Sequence, residues 1–222
     1  FYSGSGGSFN FGLNPSKSEH YEIGAKAFVG NSSRLNLAFF QINTEDELVV
    51  DAATGGRTSY KNAGKTLRQG VELAFDTAWR RDLTSRFAFT MLRAIYDEGF
   101  ASTTPVDAGN TMPGIPRTSA FGDLAWKPAP GVTAAIEGIY RSRTYVNDAN
   151  TATPAPSYAI ANVRVSAEQK AGPWRFTEFA RIDNLFDRNY IGSVIVGDGN
   201  GRYYEPAPGR NGMVGVNARY TW

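Results

Sequence analysis

The chain has 222 residues, a formal net charge of +2, one histidine and no cysteine. That composition removes disulfides, thiolate nucleophiles and cysteine metal ligands together, and it leaves no global basic field to attract nucleic acid. With 14 Phe, 11 Tyr and 4 Trp but only 41% apolar residues, no run approaches the roughly 18 apolar residues of a membrane helix, yet a membrane barrel stays open because it needs apolar residues only at alternate positions.

The opening stretch FYSGSGGSFNFG has neither the basic start nor the apolar core of a signal peptide. An exported protein needs one, so the chain is expected to be a piece of something longer. YEIGAKAFV then alternates, with Tyr21, Ile23, Ala25, Ala27 and Val29 on one face of a strand. The turn GNSS leads to RLNLAFFQI. After a long polar interval, TLRQGVELAFDTAW sets Leu67, Val71, Leu73, Phe75 and Trp79 against Arg68, Gly70, Glu72, Ala74 and Asp76. RRD turns into LTSRFAFTMLRAIY, and a second interval precedes RTSAFGDLAWK, PAPG and VTAAIEGIYRSRTYV. A third precedes SYAIANVRVSAEQ, KAGP and WRFTEFARIDNLF. A fourth leads to the last strand, where Val214, Val216, Ala218, Tyr220 and Trp222 share a face. The pattern predicts nine strands, and helical periodicity is absent.

The connections sort by length. Gly30–Ser33, Arg80–Asp82, Pro128–Gly131 and Lys170–Pro173 are short; about Thr44–Lys65, Asp97–Pro116, Asn147–Pro156 and Tyr190–Pro208 are long. Short and long alternate strictly, so one end of an up-and-down sheet carries only tight turns and the other only loops. Outer-membrane barrels have this asymmetry, whereas Greek-key sandwiches mix lengths at both ends. Trp79, Trp126, Trp174 and Trp222 all fall at the short-turn end, as an interfacial girdle requires. The opposite face carries Glu72, Asp76, Glu137, Arg164, Glu168, Arg175, Asn217 and Arg219, which need water or partners. Nine strands ending in the periplasm put the first strand's start outside. Complete bacterial barrels have even strand numbers and both termini inside, so the reading is an incomplete barrel whose residues 1–17 are the tail of an extracellular loop.

Six motifs in order, NPSKSEHYEIGAKA, GGRTSYKNAGKTLRQGVELA, MPGIPRT, RIDNLFDRNYIG, YYEPAPGRN and the terminal YTW, resemble the C-terminal part of TonB-dependent outer-membrane receptors along essentially the whole chain. GGRTSYKNAGKTLRQG and GSVIVGDGNGRYYEPAPGRN are most similar to the subgroup that takes up pyrroloquinoline quinone. The resemblance implies an all-β, antiparallel, up-and-down transmembrane barrel of about 22 strands around an N-terminal plug. Residues 1–222 would supply about nine of these strands, as the C-terminal barrel segment without plug or TonB box. It implies TonB-dependent, energy-coupled import across the bacterial outer membrane, with the lipid bilayer, the receptor's own plug and TonB as partners and no nucleic acid. The terminal aromatic with Tyr220 two places before it is similar to the signal read by the outer-membrane insertion machinery.

Strand parity aims Arg68, Arg117, Arg141, Arg143 and Arg181 into the lumen, in the half nearer the long loops. A guanidinium grips carboxylates with a fixed fork and keeps its charge, so such a ring suits a small anionic ligand, either pyrroloquinoline quinone or a ferric siderophore. The alternative is that these arginines pair with lumen carboxylates such as Glu72, Glu137 and Asp183, or with a plug. The loops add Tyr60, Tyr145, Tyr190, Tyr203 and Tyr204, with Arg57, Lys61 and Arg202 nearby. Tyrosine can stack on flat rings, although loop and interface tyrosines are also ordinary. VGDGNG carries one carboxylate, Asp198, too few for calcium. No resident cofactor or metal is expected, since His20 stands alone. An enzyme is not expected; an outer-membrane barrel enzyme would have to build its site on His20 near Ser18 and Ser3, and a passive porin or adhesin barrel would lack a plug.

Overall fold

The computed structural model describes residues 11–54 and 57–222, with side chains left undescribed at 52–57. Thirteen strands lie among the described residues. In chain order they are β1 (Lys17–Val29), β2 (Ser33–Glu45), β3 (Leu48–Thr54), β4 (Arg57–Asn62), β5 (Thr66–Arg80), β6 (Leu83–Tyr96) and β7 (Thr118–Ala129). They continue with β8 (Val132–Arg141), β9 (Tyr158–Ala171), β10 (Trp174–Asp183), β11 (Ile191–Val194), β12 (Tyr204–Pro206) and β13 (Asn211–Tyr220). Nine of them form one antiparallel meander ordered β1-β2-β5-β6-β7-β8-β9-β10-β13, with β1 and β13 outermost. The remaining four make two hairpins, β3–β4 and β11–β12, inside long connections.

The register follows from which face must be apolar. Ile23, Phe39, Val71 and Met91 stand opposite one another across four strands. Five residues along each strand, and so on the opposite face, Arg34, Asp76, Arg86, Asp123 and Glu137 form a continuous row across five. A slip of one residue would exchange these rows, so burial of one face fixes the register. The apolar row faces outward with nothing over it. Ile23 is 73% exposed and Val214 81% exposed. In water such a face would be an aggregation hazard; hydrocarbon satisfies it while the ladder between neighbouring strands satisfies the backbone within the sheet. No helix of the described residues is long and apolar enough to cross a membrane, which says nothing of a barrel.

The four tryptophans lie at the short-turn edge, as expected from sequence. The indole N–H of Trp79 donates to Ser85 Oγ (3.0 Å) and that of Trp126 to Asp82 Oδ2 (3.1 Å), so each apolar ring keeps a polar handle at the rim.

The long connections, L1 (46–65), L2 (97–117), L3 (142–157) and L4 (184–210), differ from the sequence reading in two respects. L1 and L4 contain the hairpins, which local periodicity did not reveal because neither has an apolar face of any length. L3 and L4 also begin earlier than expected. β8 ends at Arg141, beyond which Thr144 and Ala155 form an isolated bridge. β10 ends because Asn184 adopts φ 52° and turns the chain, its side chain bonding the backbone of Arg188 in both directions (2.8 and 2.9 Å).

The compact core sits at the loop end, since a single sheet has no second layer to close on. Val49 of L1, Ala94 and Tyr96 of β6, and Val106 and Met112 of L2 pack together with Ala63, and Ala149 of L3 covers them. Backbone bonds tie L3 to both neighbours: Gly114 N–H donates to Tyr145 O and Gly197 N–H to Val146 O, both at 2.9 Å. Val146 is fully buried between them.

Candidate ligand site at the loop end of the wall

The inner face carries two groups of arginines with different surroundings. The first lies within the wall. Arg181 donates to Glu137 Oε2 (2.6 Å) and to Asp183 Oδ1 (2.7 Å). Arg164 bridges Glu137 and Asp123, with Nη2 2.9 Å from Asp123 Oδ2, and Arg86 approaches Asp123 at 3.8 Å. Asp123 Oδ2 is enclosed yet lacks hydrogen-bond geometry to any donor, so its contact with Arg164 is a charge contact alone. Asn162 links this network to the turn after β10. Its Nδ2 donates to Glu137 and its Oδ1 accepts from Asn184 N–H (2.9 Å). Opposite charges on five neighbouring strands, β6 to β10, thus stiffen the inner wall. Arg68 is likewise engaged: it donates to Glu47 of L1 at 2.8 Å and to the hydroxyls of Thr44 and Thr66.

The second group has no such partners. Arg117 continues β7 outward, its carbonyl accepting from Leu92 N–H (2.8 Å), and Ser142 N–H donates to Thr118 O (2.9 Å). Ser119 faces Arg141. Arg117 lies one residue before β7 and Arg143 two residues after Arg141, so all three sit at the same end of this strand pair. All three share the inner-face parity, and all three are exposed. Among the described residues none makes an ion pair; Arg143 instead lies 5.8 Å from the ring of Tyr145. Like charges gathered at one end of the wall repel, though water screens exposed ones. An anion between them reverses the sign.

Beside this cluster is a niche of about 200 Å³ walled by Pro116, Arg141, Thr144, Pro156, Tyr158 and the β11 backbone. Tyr158 packs on Tyr190, ring centres 4.5 Å apart, and burial in L4 pushes the Tyr190 hydroxyl pKa above its ordinary value. Sequence reasoning had noted Tyr190 and missed Tyr158, which is the inner-face partner of Arg141 across β8 and β9. Only cross-strand pairing reveals it.

The other candidates are dispersed. Tyr204 donates its hydroxyl to Thr153 O and meets Tyr203 edge-on at 6.2 Å, so it ties L4 to L3. Arg202 reaches Asp198 at 3.8 Å, and Asp198 also accepts the Arg202 N–H (2.7 Å) in a tight loop. Tyr60 is half-buried in β4, and the side chain of Arg57 lies outside the described residues. Lys61 is held by Asp51 (3.0 Å) and by Ala101 O. As for the catalytic alternative, Ser18 bonds Thr44 (2.9 Å) on the neighbouring strand, His20 is exposed, and Ser3 lies outside the described residues.

A tryptophan-edged meander, apolar outside and charged inside, with turns at one end and packed loops at the other, defines the wall of an outer-membrane β-barrel. The family model described as TonB dependent receptor-like, beta-barrel matches residues 1–185, and the chain belongs to that family, a family of the bacterial outer membrane. The probable TonB-dependent siderophore receptor PiuA of Acinetobacter baumannii is 25% identical over 218 residues, covering 94% of this chain and 28% of the relative. Among solved structures, the ferric citrate transporter FecA superposes with TM-score 0.75 at 18% identity, over 92% of this chain and 32% of its own. BauA, the ferric preacinetobactin receptor of Acinetobacter baumannii, superposes with TM-score 0.71 at 20% identity, over 92% of this chain and 29% of its own. The chain therefore spans under a third of the length of these relatives.

Proposed function

We propose that this chain forms the inner wall and part of the loop mouth of a receptor for TonB-dependent uptake of a ferric siderophore, whose negative charge is met by Arg117, Arg141 and Arg143. The single observation that carries the reading is the contrast between the two arginine groups. Wall arginines are matched by Glu47, Asp123, Glu137 and Asp183, while among the described residues the three at the mouth make no ion pair. Unmatched cations gathered on one wet surface favour an anion whose charge replaces their repulsion. PiuA, the relative most similar in sequence among those above, is itself a probable siderophore receptor. The finer alternative, pyrroloquinoline quinone, rests on the motifs GGRTSYKNAGKTLRQG and GSVIVGDGNGRYYEPAPGRN. It is favoured by the Tyr158–Tyr190 pair beside Arg141, which offers an aromatic surface next to a carboxylate fork.

The test is calorimetric. Full-length receptor in detergent is titrated with a panel of ferric siderophores and separately with pyrroloquinoline quinone. Charged hydrogen bonds contribute about 1.5–3 kcal/mol each, so replacing Arg141 and Arg143 together by Gln is expected to weaken binding at least tenfold. Binding of a siderophore that is indifferent to this double substitution removes the arginine cluster from the site. Heat with the quinone alone moves the substrate to that class.

A further inference from the structure

Three rows cross the inner face of β7, β8 and β9 below the loops. The uppermost is Ser119, Arg141 and Tyr158, and the lowest is Asp123, Glu137 and Asn162. Between them stand Phe121, Ile139 and Ile160, paired strand to strand. This middle row breaks the polar pattern of a wet face. Phe121 is 36% exposed, and Ile139 and Ile160 are half-buried. On the same face Phe40 and Phe179 each lie over a glycine of the next strand, Gly70 and Gly215, and fill the space it leaves. Phe121 has Ala88 and Ile139 opposite, so its ring has no such space to fill.

The strip has definite dimensions. Successive rows on one face are two residues apart, about 6.6 Å along the strand. Cross-strand neighbours are about 5 Å apart, so three of them make an apolar strip about 10 Å wide. It is a single row deep. Above it Arg141 makes no ion pair among the described residues, and Tyr158 packs on Tyr190 at its corner. Below it Asp123 and Glu137 are bound into the arginine network of the wall. Ligand sites combine apolar surface of this kind with a few placed polar groups.

Resting on the receptor reading above, we infer that the ligand is a ferric chelate whose iron is held by aryl oxygens, catecholate or phenolate. One edge of such a ring carries anionic oxygens and the other is hydrocarbon. A single group therefore reaches from Arg141 to Phe121 and Ile160 across adjacent rows. Tyr158 and Phe121 offer ring faces on which it can stack. A compact carboxylate chelate brings the charge but has nothing to lay on the apolar row. An acyl-tailed chelate overruns the row and sets hydrocarbon against Asp123 and Glu137, which need water or partners. Arg117, Arg141 and Arg143 thus serve any anionic chelate, and Phe121, Ile139 and Ile160 choose among them.

Calorimetric titration of the full-length receptor in detergent compares ferric 2,3-dihydroxybenzoate, ferric citrate and the ferric chelate of an acylated citrate. The wild type is expected to bind the aryl chelate about tenfold or more tightly than either of the others. Phe121→Thr together with Ile160→Thr should remove that preference, weakening the aryl chelate while ferric citrate stays within about twofold. Arg141→Gln should weaken the aryl chelate and ferric citrate alike. Equal binding of aryl and carboxylate chelates by the wild type overturns the aryl assignment, and that outcome needs no variant to fold. A preference that survives the double substitution overturns the role of the apolar row. Binding of none of the three overturns the aryl assignment as well, and the response to the wider siderophore panel then tells whether the receptor reading survives.

Discussion

Replacing Tyr96 by Phe removes one hydroxyl and nothing else from the loop core. The ring is 1% exposed and keeps its edge-to-face contact with Phe100, centres 5.1 Å apart. What is lost is the hydrogen bond donated to Asp148 Oδ1 at 2.6 Å, which pins L3 to the top of β6. A hydrogen bond to a charged group is worth about 1.5–3 kcal/mol, and Asp148 is left half-buried without that donor. Taking about 2 kcal/mol, local opening of L3 becomes roughly 30-fold more frequent. Hydrogen exchange of the full receptor at pH 7 reads this out at the protected amides of Thr144 and Asn150. The ladder of β5 and β6 should not change. Unaltered exchange in L3, or an equal rise along the barrel strands, refutes the reasoning. The pH dependence has a definite sign. Burial, the largest influence, raises the Asp148 pKa, outweighing the Tyr96 hydrogen bond and Lys61, which lower it. The native loop then binds more protons than the opened loop at pH values between the two pKa values, so protection falls as pH rises through that window. Exchange corrected for intrinsic rate should show L3 tighter near pH 4 than at pH 7, and Asp148→Asn should remove the difference.

Two further perturbations address the wall. Glu137→Gln leaves Arg164 and Arg181 without their shared charge. Breaking a buried pair costs about 3–5 kcal/mol, but these arginine side chains are 33% and 26% exposed to a wet lumen, so about 1–3 kcal/mol is expected, read as a lower Tm of the folded receptor. An unchanged Tm would mean the network is fully replaced by water. Gly70→Ala places a Cβ against Met91 O and 2.8 Å from Phe40 Cζ, whose ring lies over the glycine. Overpacking of this kind costs about 1–3 kcal/mol, and the fraction of receptor that migrates as folded barrel in unboiled gels should fall. Normal folding would show that the Phe40 ring and the β6 backbone move aside cheaply.

Much of this protein was legible without coordinates because a strand's faces are set by its own neighbours. Val71, Leu73 and Phe75 alternate with Glu72, Ala74 and Asp76 whatever lies across the sheet, and the placement of Trp79 and Trp222 beside short turns needs only the order of the chain. The five inner-face arginines were likewise given by parity. Which of them stay unmatched was not. Arg181 meets Glu137 44 residues away, and Arg68 meets Glu47 on a loop whose hairpin has no periodic signal. The register of β7 on β8 places Arg117, Arg141 and Arg143 at one end of the strand pair, and among the described residues none of them makes an ion pair. Tyr158 joins them by the same register. Alternation is a property of adjacent residues and survives in the sequence; charge pairing and loop packing depend on contacts made across strands and loops far apart along the chain, and only the folded wall decides them.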